Sequence, residues 1–211
     1  MSLSRTSAAY NVIYAVVLGT ACAGILTAGS SLLAPYREAN ERADEIRDVL
    51  GILGVPFEPG ASSADLIALF ERNVQREQRG RLTLYRQVDA DGRVRAVAVP
   101  LAGRGLWGPI RGWLALEPDL KTIRGITFQA PDETPGFGGE IMKAPFRDQF
   151  RGKTIYGPDG KPALRVTRGE GPTAPNEVHA VSGATLTSGK VDQILNDLVR
   201  QIAEETQADV R

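Results

Sequence analysis

The chain has 211 residues, of which 42% are hydrophobic and 24% charged, enough to bury one sizeable core with an accessory element and too apolar for a disordered chain. Lys plus Arg equals Asp plus Glu at 25 each, so no bulk positive field points to nucleic acid. A single cysteine, Cys22, and a single histidine, His179, exclude an internal disulfide framework and a Cys/His cluster of metal-site spacing, which predicts no protein-ligated zinc or iron–sulfur centre.

No charge occurs between Thr6 and Tyr36, and residues 10–33 are apolar or small throughout. As a helix those 24 residues span about 36 Å, enough for a hydrocarbon core of about 30 Å. The expectation is one uncleaved transmembrane helix in a 1–36 anchor; the run is longer than a signal-peptide core. Cys22 within it reads as a small packing residue. Arg5 on one flank, against Arg37, Arg42 and Arg47 mixed with acids on the other, leaves orientation open.

Residues 37–80 are expected as a helical stalk and a connecting helix. Ala39, Ala43, Ile46 and Leu50 share one helical face, a Gly/Pro/Ser-rich loop covers residues 51–63, and Leu66, Ile67, Phe70 and Val74 mark an amphipathic helix over 64–77. Residues 81–211 are expected as one α+β domain. Alternation predicts strands over 81–88 and 93–101 around an Asp89-Ala90-Asp91-Gly92 turn, then 110–117 and 123–129, giving a mainly antiparallel sheet flanked by helices. A short helix with a break at Pro145 follows over 139–151, then a strand over 161–168 and a Pro/Gly-rich loop over 169–176.

After a short strand, residues 182–188 (Ser-Gly-Ala-Thr-Leu-Thr-Ser) lead into a helix whose apolar face carries Val191, Ile194, Leu195, Leu198, Val199 and Ile202, with Asp192, Asn196, Asp197 and Arg200 opposite. Thr187 or Ser188 is the expected N-cap. A small-residue turn at a helix N-terminus suits an anion such as a phosphate, and it equally suits an ordinary structural cap. Trp107 and Trp113 are aromatic candidates for lining a ligand site, although a Trp beside a strand is more often core.

The tetrad Ser182-Gly183-Ala184-Thr185 with Leu186, Thr187 and Ser188 resembles the flavinylation signature of the covalent FMN-binding domain family. The segment Glu133, Thr134, Pro135, Gly136, Phe137, Gly138, Gly139 resembles that family's flavin-contacting loop. Within the family the resemblance is to C subunits of sodium-translocating NADH:quinone oxidoreductases, and next to G subunits of Rnf electron-transport complexes. It implies FMN esterified to Thr185, with Ser182, Gly183, Ala184, Leu186, Thr187, Ser188, Glu133, Thr134, Gly136, Phe137 and Gly138 as the cofactor-binding set. Phe137 stands where the family has Leu, and His179 where it has Asp.

The same resemblance implies an electron relay with no catalytic residue beyond the flavin, inside a complex that oxidises NADH and reduces quinone. Its partners would be membrane lipid and other integral-membrane subunits, without nucleic acid, and the domain would lie on the periplasmic face of the inner membrane. The alternatives are an Rnf-type ferredoxin:NAD relay and a membrane-tethered FMN-binding sensor or maturation module. No Gly-x-Gly-x-x-Gly strand-turn-helix unit is present to bind NADH.

Overall fold

The computed structural model describes residues 8–169, 171 and 174–208. Arg5, on which the orientation reading rests, lies outside the described residues, as do Glu170, Pro172 and Thr173 of the expected 169–176 loop. The chain divides into two units, Met1–Asp44 and Glu45–Arg211.

Helix α1, Ala8–Leu53, contains Pro35 and is the one described helix long and apolar enough to cross a membrane. Along the first unit its large side chains, Val12, Val16, Ile25 and Leu32 among them, are exposed. Its last turns belong to the second unit. There Ile46, Val49, Leu50 and Leu53 are buried with Leu66, Val74, Ala96, Ala98 and Trp113. Within the expected 37–80 stalk and connecting helix, Ile46, Val49, Leu50, Leu53, Leu66 and Val74 are thus packed in one cluster with residues of the sheet.

Helix α2, Ser63–Asn73, starts on a capping box: the Asp65 amide donates to Ser62 Oγ at 3.2 Å, and the Ser62 amide donates back to Asp65 Oδ2 at 3.3 Å. It stops at Asn73, short of the expected 77. Val74–Arg79 is instead strand β1, paired antiparallel with β2, Leu82–Val88, across a two-residue Gly80-Arg81 turn. The sequence Gln-Arg-Glu-Gln-Arg hides this strand, because an edge strand is kept polar and charged and so lacks apolar alternation. A diagonal ion pair, Arg86 to Glu77 at 2.7 Å, ties it to β2.

The remaining expected strands are β3, Val94–Arg104, β4, Pro109–Leu116, and β5, Ile123–Gln129. Together the five form an antiparallel meander in chain order. Both faces are covered. Val97, Val99 and Leu101 pack with helix α4, Thr185–Ala208, through Val191, Leu195 and Leu198, while Ala96 and Ala98 meet the cluster of α1 and α2. Alternation in β3 therefore gives way to a continuous buried run, Ala96 to Val99.

The segment after β5 winds through two 3-10 turns, Gly138–Met142 and Asp148–Phe150, around helix α3, Ala144–Arg147. Pro145 opens that helix rather than breaking one, since its missing N–H is no loss in a first turn. The strand expected over 161–168 is short: β6, Arg165–Thr167, pairs in parallel with β7, Glu177–His179. The polar face of α4 holds it. Asp192 accepts from the Val166 amide at 2.7 Å, and the Asn196 amide group bonds both N and O of Leu164, at 3.2 and 2.9 Å.

Candidate functional site

Three loops meet at the end of the sheet where β3 turns into β4. The first is the tip of that hairpin, where the Gly105 amide donates to the Gly108 carbonyl at 2.8 Å. The second follows β5. The third is the turn between β7 and α4, closed by the Ala184 amide donating to the Val181 carbonyl at 3.1 Å. Gly183 in this turn has φ of 77°, a backbone state that costs glycine nothing.

Glu133 joins all three loops. Only 3% exposed, it accepts through Oε1 from the amides of Leu106, at 2.7 Å, and Trp107, at 3.2 Å. Oε2 accepts from the Thr187 hydroxyl at 2.8 Å. Gly138 lies against this clip: a Cβ there would run into Glu133 Oε2 and come within 2.6 Å of Thr187 Oγ1. Glu133 and Thr187 thus serve the site from beneath, by holding its loops together.

Above the clip is a cleft of about 170 Å³, lined by Leu106, Trp107, Thr134, Phe137, Thr185 and Leu186 along with the clip residues, Gly183 and Ala184. Its walls are apolar and open to solvent, with Trp107 71%, Leu186 64%, Phe137 55% and Leu106 40% exposed. These four are the large hydrophobic side chains exposed among the described residues of Glu45–Arg211. Thr185, also exposed, is the first residue of α4, and its hydroxyl has no hydrogen-bond partner among the described residues. The amides of a first helical turn have no carbonyl four residues back, so this end of α4 offers donors and a positive dipole end.

The helix begins two to three residues earlier than its expected caps. Thr187 is engaged with Glu133, and Ser188, buried inside the first turn, accepts from the Val181 amide at 3.1 Å. Ser182, Gly136 and Ser188 are not among the lining residues of the cleft; the rest of the expected cofactor-binding set is. Trp113 is core, 9% exposed, with its indole N–H donating to Glu45 at 3.1 Å. His179 sits in β7, its amide donating to Gln149 Oε1 at 2.8 Å, away from the cleft lining.

Sequence reasoning missed Arg168, whose guanidinium donates to the Thr185 carbonyl at 3.2 Å and so puts a cation beside that residue. It lies 17 residues upstream, and no local pattern links the two.

The FMN-binding domain family matches residues 105–200, a span that contains all three loops. The curated C subunit of the sodium-translocating NADH-quinone reductase of Yersinia pestis is 42% identical over 106 residues, which are 50% of this chain and 40% of that protein. Its Pasteurella multocida counterpart is 24% identical, with 91% of this chain and 90% of the relative covered. The solved structure of the corresponding protein from Parabacteroides distasonis superposes with a TM-score of 0.66 at 25% identity, covering 82% of this chain and 96% of the other.

Proposed function

Since residues 105–200 match the FMN-binding domain family and the chain is similar to C subunits of sodium-translocating NADH-quinone reductases, we propose that it is the FMN-bearing electron-relay subunit of such a complex. In this reading the flavin phosphate is esterified to Thr185 Oγ1. The partners are the other integral-membrane subunits, and the domain stands on the periplasmic side of the inner membrane, anchored by α1.

One observation carries the reading: the large apolar side chains exposed among the described residues of Glu45–Arg211 are gathered around one threonine hydroxyl, at a helix N-terminus, that has no partner among those residues. Soluble surfaces scatter single apolar residues; a contiguous set beside an anion-binding helix end fits a flat aromatic ring joined to a phosphate. Bound FMN supplies reversible one- and two-electron chemistry, and the protein supplies position and surroundings.

Each residue has a task in that arrangement. Phe137, Trp107, Leu106 and Leu186 offer apolar faces that shield a ring from water. Esterification leaves a phosphate about one negative charge, which the first amides of α4 and the Arg168 guanidinium suit. Glu133 and Thr187 keep the hairpin tip and the helix start at a fixed separation. A covalent tether removes dissociation, which matters for a carrier working where free cofactor is scarce.

Intact mass of the chain purified from its native host tests this directly. The expected result is a mass increased by FMN less one water, lost in Thr185→Ala, with the flavin recovered on the peptide containing Thr185. An unmodified wild-type mass overturns the tether.

A further inference from the structure

Strand β3 outruns its neighbour. The ladder with β2 ends at Tyr85 opposite Ala98, whereas β4 accompanies β3 as far as Arg104 opposite Pro109. The next rung on the β2 side would set Thr83 against Pro100. Alternation decides where the backbone points there. Trp113, opposite Pro100 on β4, directs its amide to Thr127 Oγ1 on β5 at 3.2 Å, away from β3. Pro100 and Trp113 are therefore a non-hydrogen-bonded pair, and Pro100, Ala102 and Arg104 turn their backbone polar groups towards the β2 side. At Pro100 there is no N–H to give, and the ladder stops. Ala102 and Arg104 continue past it with no backbone partner on that side among the described residues.

Beside this open edge runs a groove of about 370 Å³. Leu82, Leu101, Ile194 and Leu198 give it an apolar floor, and Arg81, Arg104 and Lys190 stand along it. None of those three cations has an acidic partner among the described residues. The groove's own acid, Asp197, is paired with Arg200 at 3.2 Å, and Glu205, behind Arg81, is held by that residue's amide at 3.2 Å.

We infer that this edge docks an extended, acidic segment of a partner protein, which adds as a strand beside residues 102–104, in line with the start of β2. Main-chain bonds to Ala102 and Arg104 supply the pairing, alternate apolar side chains reach the floor, and the acidic ones between them meet the cations. Three residues of edge, 102–104, span about 10 Å, room for a short strand. The charge argues for an acidic segment over a basic one, and the unpaired backbone argues for a strand over a helix.

The test is fluorescence anisotropy on the full-length chain in detergent micelles, with a labelled Val-Glu-Val-Glu-Val peptide as the probe. Its twin, N-methylated at alternate amides, keeps every charge and loses strand pairing. Saturable binding is expected for the probe, with affinity at least about tenfold lower for the twin and for Val-Lys-Val-Lys-Val. Ala102→Pro removes the edge N–H at a position where an edge strand tolerates proline, and a similar loss is expected. Arg81→Glu, which leaves the strand intact, is expected to weaken the acidic peptide and strengthen the basic one. No saturable binding, equal binding of the twin, or wild-type affinity in both variants overturns the inference.

Discussion

A Cβ at position 138 would strike the Glu133 carboxyl and crowd the Thr187 hydroxyl. Gly138→Ala should therefore lower stability and flavin content together, read as the thermal midpoint and the bound-flavin absorbance of one preparation. Glu133→Ala removes the charged acceptor of the part-buried Leu106 and Trp107 amides, at a cost of about 1.5–3 kcal/mol for a hydrogen bond to a charged group, measurable by denaturant unfolding. Glu133→Gln keeps one acceptor oxygen and should lose less. Trp107 marks the contrast. At 71% exposure, Trp107→Ala should change stability by less than about 0.5 kcal/mol while making the bound flavin more accessible to iodide quenching. Arg168→Ala belongs with it: the fold should be unchanged and the flavin stoichiometry reduced, because the cation beside Thr185 is gone.

The turns between strands are held by aspartates whose charge the fold favours. Asp89 accepts from the Arg93 amide at 2.8 Å and pairs with Arg95, which together hold its carboxyl below its ordinary value against some desolvation. At Asp119 burial pushes the other way, but the Thr122 and Lys121 amides and the Thr122 hydroxyl outweigh it, so this carboxyl is also lowered. A depressed folded-state value means stability that is complete above the unfolded-state value and lost as pH falls through the folded one. Acid lability should thus set in below about pH 4, and a double Asp89→Asn, Asp119→Asn variant should show a shallower fall in thermal midpoint between about pH 6 and about pH 2.5. The α4 helix is tied to β6 by Asn196, so Asn196→Ala frees both backbone groups of Leu164 and should raise hydrogen exchange at Leu164 more than in β3.

At the scale of the whole chain, the boundary between units falls at Asp44 and Glu45. A chain beginning at Glu45 keeps Ile46, Val49, Leu50 and Leu53 in the second core and should be monodisperse without detergent. One beginning at residue 81 uncovers Ala96, Ala98 and Trp113 and should aggregate, which light scattering would distinguish. The long apolar first helix, the four-strand run and the amphipathic final helix were legible in the residues alone, because apolar length and periodicity are local properties. The sequence also carried the two cofactor motifs, though only through resemblance. The tertiary structure alone decided that Val74–Arg79 is a strand, that the end of α1 belongs to the core, and that Glu133 faces inward as a clip while Trp107 stands out. Those outcomes depend on partners far away along the chain: an edge strand is defined by its neighbour, and a carboxyl by the donors that loops from three regions bring to it.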